Sequence, residues 1–325
     1  MKLARRKFLQ AAAAAAALPA AARIAWGQAY PARPVRVVVG FPGGSSQDIV
    51  ARIVAQWLSE RLAQRFIIDN RPGAGGNIAV ETVANAPADG STLLMTGANN
   101  AINTTLYDNL KFNFLRDIAP VAGIMSVPLV MDVNLSVPAR TVPEFIAYAK
   151  ANPGKINMAS AGNGTAVHVC GELFKMMTGI DMVHVPYRGT PLAMTDLFGG
   201  RVQVIFDNLP GSIGYIRAGK LRALAVTTTT RSPLLPDVPP LSDFVPGYAA
   251  SAWFGVGAPR NTPAEIIERL NREINAGLAD PAMQAPLIDI GGTMMPGSPA
   301  DLGRLMAQET KKWGKVVRFA GLKPE

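Results

Sequence analysis

Residues 37–50 read VVVGFPGGSSQDIV, a pattern typical of α/β proteins. The valines predict the end of a buried β-strand, the glycines allow the backbone to turn, and a helix is under way by Ile49. The first N–H groups of such a helix have no intrahelical acceptor and carry a partial positive charge. The turn therefore predicts a place for a carboxylate or phosphate at the carboxyl end of a strand.

The same turn has a second interpretation that needs no ligand. Ser45 and Asp48 have the S-x-x-D spacing of a capping box, in which two side chains satisfy the helix start by themselves. Asp48 would then organise the loop rather than act as a base. The residues of this turn leave both interpretations open.

A second strand-to-helix turn lies in the other half of the chain. The predicted strand Ile156–Ser160 is followed by AGNGTAVH, residues 161–168, with a helix beginning near Thr165. If both helix starts face one cleft, they can hold the two ends of a dicarboxylate, or one carboxylate and a polar tail.

Short apolar runs alternate with amphipathic helical patterns along the chain, which indicates an α/β fold with buried, largely parallel sheets. The predicted strands are Val35–Val39, Phe66–Asp69, Thr92–Thr96, Leu129–Val133, Ile156–Ser160, Met182–Val185, Val202–Phe206, Leu221–Thr227 and Phe254–Ala258. Three further helices are predicted to begin with capping boxes at Thr141, Thr262 and Ser298, each with an acid three residues later.

A third glycine cluster, Gly73-Ala74-Gly75-Gly76-Asn77, does not fit a dinucleotide-binding fingerprint, because Ile78 stands where the third glycine is required. We interpret it as a backbone turn. Cys170 is the single cysteine and there are two histidines, so neither a disulfide nor a zinc ligand set can form within the chain. No nucleophile elbow or zincin motif occurs, so no catalytic residue, metal or cofactor is predicted.

Composition predicts about two domains for 325 residues, with 49% hydrophobic and 17% charged residues. The formal charge of +9 includes Lys2, Arg5, Arg6, Lys7 and Arg23 in the first 29 residues, which contain no acid; without them the charge is 9 − 5 = +4. That residual charge fits an anionic ligand, and no basic cluster with interleaved aromatics points to nucleic acid.

The first 29 residues have the pattern of a signal peptide, with a basic start and the alanine-rich stretch Ala11–Ala22. Arg5-Arg6-Lys7-Phe8-Leu9 is similar to a twin-arginine motif, and an ordinary Sec signal is the alternative. Cleavage is expected after Ala29, which predicts a mature protein in the periplasm.

Several motifs occur in an order that identifies a family. They are FPGG at 41–44, NRPGAGGN at 70–77, DGSTLL at 89–94, VPYRG at 185–189, LPDVP at 235–239 and WFG at 253–255. The chain resembles the substrate-binding proteins of tripartite tricarboxylate transporters, also called the Bug or TctC family, over essentially the whole mature sequence.

The resemblance implies a two-domain periplasmic binding fold of the Venus-flytrap, type II-like kind with parallel-rich mixed sheets. Residues 30–127 and 249–325 would form one domain, and residues 128–248 the other. A monomer is expected that captures a di- or tricarboxylate, an amino acid or an aromatic acid for a membrane permease. The alternatives are a sensory protein that acts on a receptor kinase and, remotely, an exported enzyme.

The candidate ligand-binding residues come from the two turns and the matching motifs. They are Phe41, Gly43, Gly44, Ser45, Asp48, Asn99, Ser160, Asn163, Gly164, Thr165, Tyr187, Arg188 and Asp207. Arg188 stands where the family often has lysine. A guanidinium there can clamp a carboxylate with two hydrogen bonds or remain a surface group, and the sequence does not separate these roles.

Overall fold

The computed structural model describes residues 30–319 and 321–323. The predicted signal peptide, its twin-arginine-like run and the cleavage position after Ala29 lie outside the described residues, so they stay predictions.

Strands and helices alternate through the described residues as the sequence predicts. The strands are β1 (Val35–Val39), β2 (Phe66–Asn70), β3 (Thr92–Gly97), β4 (Ile118–Val127), β5 (Leu129–Val133), β6 (Asn157–Ser160), β7 (Val183–Pro186), β8 (Val204–Asn208), β9 (Arg222–Val226), β10 (Ala252–Pro259) and β11 (Thr293–Met294). The α-helices are α1 (Ser46–Leu62), α2 (Asn77–Ala84), α3 (Ala98–Leu106), α4 (Phe114–Asp117), α5 (Val142–Ala151), α6 (Ala166–Thr178), α7 (Thr190–Phe198), α8 (Leu209–Arg217), α9 (Ala264–Ala279), α10 (Pro281–Asp289) and α11 (Pro299–Phe319).

All nine predicted strands are confirmed, with bounds that differ by no more than two residues. The sequence analysis missed β4 and the two-residue strand β11. Pro120 and Gly123 interrupt the β-branched pattern of β4, and its pairing with β10 contains register shifts. Such a strand is maintained by its neighbours more than by its own sequence.

The strands form two mixed sheets with the same internal arrangement. The first sheet has the order β11-β4-β10-β3-β1-β2 and the second has the order β7-β6-β8-β5-β9. In the first, β2, β1 and β3 run parallel and β10 joins β3 antiparallel; in the second, β7, β6 and β8 run parallel and β5 joins β8 antiparallel. Three parallel strands followed by an antiparallel one therefore occur twice, which confirms the predicted parallel-rich α/β architecture.

The predicted helix starts have different outcomes. At Ser298 the capping box is complete, because Asp301 N–H donates to Ser298 Oγ and Ser298 N–H donates to the Asp301 carboxylate. At Thr141 only the hydroxyl half forms, and the Glu144 carboxylate instead accepts from Arg140 N–H. The prediction for Thr262 is wrong.

Thr262 does not cap α9 because its hydroxyl donates to the Pro259 carbonyl, 2.8 Å away. Pro263 occupies the N-cap position and has no side-chain hydrogen bond to offer. The sequence has the correct spacing, but a tight turn at the end of β10 provides a nearer acceptor for the threonine hydroxyl.

The chain passes between the sheets at one place, and Thr227 connects both passages. It leaves the first sheet after Val127 and enters the second at Leu129, then returns before Ala252. The buried Thr227 hydroxyl accepts from Leu129 N–H at 2.9 Å and donates to the Ala250 carbonyl at 2.9 Å. A division into two domains near these crossings stays a prediction.

We expect Thr227→Val to lower the free energy of unfolding by about 1–3 kcal/mol, since valine leaves the buried Leu129 N–H without its acceptor. Urea titration followed by circular dichroism measures this loss. The control is Thr229→Val, which changes an exposed threonine two residues away and should leave stability unchanged. Equal stabilities for the two variants would contradict the role given to the Thr227 hydroxyl.

Candidate ligand-binding site

The carboxyl ends of parallel strands from both sheets face one space. Each of five strands, β1, β3, β6, β7 and β8, is followed by a helix that begins within a few residues, namely α1, α3, α6, α7 and α8. The ends of parallel strands meet at the same edge of a sheet, so residues from all five helix starts come together there.

A small cavity with a volume of about 40 Å³ lies among these helix starts. It is lined by Phe41, Ser45, Ser46, Gln47, Ala98 and Asn99 from the first sheet's turns, by Ala161, Ala166, Thr190 and Asn208 from the second sheet's turns, and by Ala252, Trp253 and Phe254 of β10.

The cavity lining has no charged side chain. Its positive character comes from the first backbone N–H groups of the helices, which lack intrahelical acceptors. Three buried polar atoms on its wall have no hydrogen-bond partner within the described chain: Ser46 Oγ, Asn208 Oδ1 and Trp253 Nε1. Buried polar groups are almost always hydrogen-bonded, so these three atoms mark a surface built for a polar guest.

Asp48 belongs to the frame of the first turn and does not line the cavity. Its carboxylate accepts hydrogen bonds from Gly44 N–H at 2.9 Å, from Asn70 Nδ2 at 2.9 Å and from Arg52 at 2.8 and 3.0 Å. Burial raises the pKa of Asp48, but the hydrogen bonds from Arg52, Gly44 and Asn70 outweigh it and hold the pKa below its ordinary value. The carboxylate is therefore ionised and fully occupied by the loop.

Gly43 and Gly44 are exposed and lie outside the cavity lining, whereas Ser46 and Gln47, two positions further on, line it. The reason is the N-cap at Ser45, whose hydroxyl accepts from Asp48 N–H. The cap makes Ser46 the first helical residue, so the unpaired N–H groups belong to the residues after the glycines rather than to the glycines.

The second turn is stabilised from behind by a pair of stacked histidines. The rings of His168 and His184 lie 3.8 Å apart with an interplanar angle of 10°. His184 Nε2 is 2.6 Å from the Ser160 hydroxyl, and His168 Nδ1 accepts from Gly164 N–H at 3.3 Å. Of the residues predicted here, Ser160, Gly164 and the N-cap Thr165 hold the turn and lie outside the cavity lining.

Asp207 is buried beneath the cavity wall rather than exposed in it. Thr190, which does line the cavity, donates its hydroxyl to Asp207 at 3.2 Å, and Ser212 donates from the other side at 3.2 Å. Burial raises the pKa of Asp207 to about 7, against the lowering effect of hydrogen bonds from Asn208, Thr190 and Ser212. The structure therefore places this acid so that it orients Thr190 and does not face a guest directly.

Three other predicted residues, Asn163, Tyr187 and Arg188, lie together in a larger groove next to the cavity. Tyr187 is fixed there by a 2.8 Å hydrogen bond from its hydroxyl to Asp196. Phe41 and Ala161 line both the cavity and the groove, so the two spaces meet at these residues.

The sequence analysis thus identified Phe41, Ser45 and Asn99 on the cavity wall and missed most of the other lining residues. Trp253 and Phe254 had a signal, because they form the WFG motif that carried the resemblance. Thr190 and Asn208 had a weaker signal, since each follows a predicted strand within a few residues. Which strand ends of the second sheet face the first sheet depends on how the two sheets pack, and a local sequence pattern does not indicate this packing.

Comparison with known proteins settles the family. The model described as "Tripartite tricarboxylate transporter family receptor" matches residues 50–322. The chain belongs to this family. Its members are substrate-binding receptors rather than enzymes, which confirms that prediction for this receptor.

Solved structures of similar proteins have the same fold. A protein of R. palustris with adipate is 40% identical, with a TM-score of 0.89 over 91% of this chain and 100% of the other. The periplasmic binding protein BugD is 32% identical, with a TM-score of 0.88 over 91% and 100%. MatC from Rhodopseudomonas palustris with bound malate is 31% identical, with a TM-score of 0.84 over 89% and 100%.

The part of this receptor that the structure describes contains no helix long and apolar enough to cross a membrane. Within residues 30–319 and 321–323, no three His, Cys, Asp or Glu side chains come together in a way that would hold a metal ion.

The stacked histidines make the free energy of unfolding depend on pH. Burial, together with His184 and Lys175, lowers the pKa of His168 to about 3, and burial and Lys175 lower the pKa of His184 to about 4. In the unfolded chain both titrate near pH ~6.5. Full stability is therefore present above that pH, and below it each histidine costs about 1.4 kcal/mol per pH unit.

We expect His184→Gln to reduce this pH dependence between about pH 6 and pH 5, because one imidazole that protonates only on unfolding is gone. Glutamine keeps an amide that can still contact Ser160. Urea unfolding at several pH values, compared with the unmodified receptor, measures the slope. If both proteins lose stability equally, His184 is already protonated in the folded state.

Proposed function

We propose that this receptor captures a small dicarboxylate in the cavity between its sheets and delivers it to the membrane permease of a tripartite tricarboxylate transporter. The observation that carries the proposal is the convergence of five helix starts on one uncharged cavity. Family membership makes the permease the natural partner.

An anion suits this cavity better than any other guest. Backbone N–H groups at helix starts favour negative charge, and in a water-poor cavity their partial charges act at short range. The indole N–H of Trp253 and the hydroxyl of Ser46 add two neutral donors that have no partner among the described residues. A carboxylate can accept several hydrogen bonds, so it can bind a group of these donors together.

The chain also keeps its own carboxylates away from the guest. Asp48 is occupied by Arg52, Asn70 and Gly44, and Asp207 lies behind Thr190 with a raised pKa. A like charge facing the cavity would repel an anion, so both arrangements favour an acid as ligand.

Two carboxylates fit the two-sided construction, because helix starts from both sheets face the space. The similar proteins from Rhodopseudomonas palustris were solved with adipate and with malate, both dicarboxylates. We infer the same chemical class for this receptor, held by Ser46, Asn208 and Trp253 and by the predicted residues Phe41, Ser45 and Asn99.

Ligand capture would take place in the periplasm, with residues 1–29 removed on export. Support for this comes from the signal-like sequence and from the periplasmic relative BugD. Capture would accompany closure of two domains that hinge near Val127 and Tyr248. Such closure is supported by close packing of Gly189 beside Pro42 and of Gly211 beside Ser46, because each pair joins a turn or helix of one sheet to a turn or helix of the other.

We expect adipate, malate or a related dicarboxylate to raise the free energy of unfolding by about 2.7 kcal/mol at roughly 100-fold excess over its Kd. A thermal-shift panel of mono-, di- and tricarboxylates, with neutral sugars as the control, makes the measurement, and calorimetry confirms the hits. Stabilisation by sugars but by no acid would overturn the proposal.

We expect Trp253→Phe to weaken binding of the best acid about tenfold, because phenylalanine keeps the ring packing but removes a donor to a charged guest. The matched control is Trp57→Phe, whose indole N–H donates to the Glu273 carbonyl and lies outside the cavity lining. The control should cost stability without changing Kd. If Trp253→Phe and the unmodified receptor bind the acid with equal affinity, the indole N–H does not contact the ligand.

A further inference from the structure

The groove beside the cavity, with a volume of about 690 Å³, has no role in the site described so far. We define the outer groove by its two walls: residues 72–76 with Ile78 on one side, and residues 161–163 with residues 186–188 on the other. It brings together motifs that the sequence analysis singled out without a function, namely the third glycine cluster and the segment around Arg188.

The glycine wall has an unusual backbone. Gly73, Gly75 and Gly76 all have positive φ angles, and so does Ala74 at 46°, although it carries a side chain. Such conformations cost energy and persist where the surroundings enforce them, often at ligand sites. Hydrogen bonds hold this backbone in place, because the Gly75 carbonyl accepts from the side-chain amides of both Asn99 and Asn103.

The glycines also let the two walls meet at the edge of the groove. A side-chain carbon at Gly75 would lie 2.8 Å from the Asn163 carbonyl oxygen on the opposite wall. The outer groove is thus bounded by backbone, and its shape allows little variation at that point.

The opposite wall supplies the charge. Arg188 is the single charged residue among those that line the outer groove, and no hydrogen bond or ion pair of its side chain is found within the described residues. The segment that carries it is rigid, because Tyr187 N–H donates to the Ser160 carbonyl and the Tyr187 hydroxyl donates to Asp196. Asn163 adds a buried amide oxygen that has no partner in the part of the chain that the structure describes.

The outer groove adjoins the cavity. Phe41 and Ala161 belong to both linings, one from each wall. A guest whose first carboxylate lies against the helix starts, and which extends past these two residues, would have its far end near Arg188.

We propose that the outer groove is a second subsite of the ligand site, which receives the distal half of an elongated dicarboxylate and pairs its far carboxylate with Arg188. The proposal rests on the proposed function and extends it from dicarboxylates in general to long ones. The receptor then prefers acids whose two charges are separated by a chain longer than the cavity alone accommodates.

The test is a series of α,ω-dicarboxylates from succinate to sebacate, each paired with the monocarboxylate of equal chain length. Affinity, measured by calorimetry, is expected to rise with length for the diacids and to exceed that of the paired monoacids. In Arg188→Gln, the long diacids should bind about fivefold more weakly, in line with a partly exposed ion pair, while the monoacids bind unchanged.

Two further variants distinguish the effect of the Arg188 charge from the effect of the outer groove's shape. Ile78→Trp fills the outer groove from the glycine wall without touching the cavity lining, so it should weaken the longest diacids and leave succinate unaffected. Arg65→Gln is the matched control, since Arg65 is exposed and precedes β2 at the opposite edge of the first sheet. It should bind the whole series as the parent does.

The outcomes distinguish this inference from the proposed function. One outcome is that acids bind with affinities that do not depend on their chain length and are unchanged in Arg188→Gln and Ile78→Trp. In that case the outer groove is not a subsite, and the proposed function stands. If no acid in the series binds the unmodified receptor, the proposed function itself fails.

Discussion

The structure depends on a property of the α-helix: its first backbone N–H groups have no partners inside the helix. In each sheet the parallel strands run toward the cavity, so the helices that follow them begin there. The polypeptide thus brings several partial positive charges to one place without using a cationic side chain. Within each sheet, such donors are held in fixed positions by the fold.

This arrangement constrains where acids can be tolerated. Asp48 and Asp207 are both close to the site, and each is neutralised in a different way. Asp48 is ionised and surrounded by donors, including the Arg52 guanidinium. Asp207 is buried without a cation, and burial raises its pKa. Asp132, on the neighbouring strand β5, is also buried, and burial followed by the charge of Asp207 raises its pKa far above the ordinary value. The second sheet therefore contains two carboxyl groups whose pKa is raised by burial.

The sequence predicted the fold well because β-branched runs and glycine turns are local signals. Val35–Val39 and Leu129–Val133 were predicted with their observed bounds. It predicted the site less well, because membership of a cavity depends on the packing of distant elements. Gly43 and Gly44 were the obvious candidates, yet the cap at Ser45 transfers the free N–H groups to Ser46 and Gln47. Thr262 shows the same limit, since its hydroxyl found a nearer acceptor than the helix start.

The contact between Gly189 and Pro42 has a consequence for how this chain can vary. A carbon attached to Gly189 would lie 2.5 Å from the proline ring on the facing wall. Even alanine at 189 would press against that ring, and the backbone there has a φ of 125°, which residues with a side chain rarely adopt. Position 189 is therefore restricted twice, by its own backbone conformation and by the facing wall.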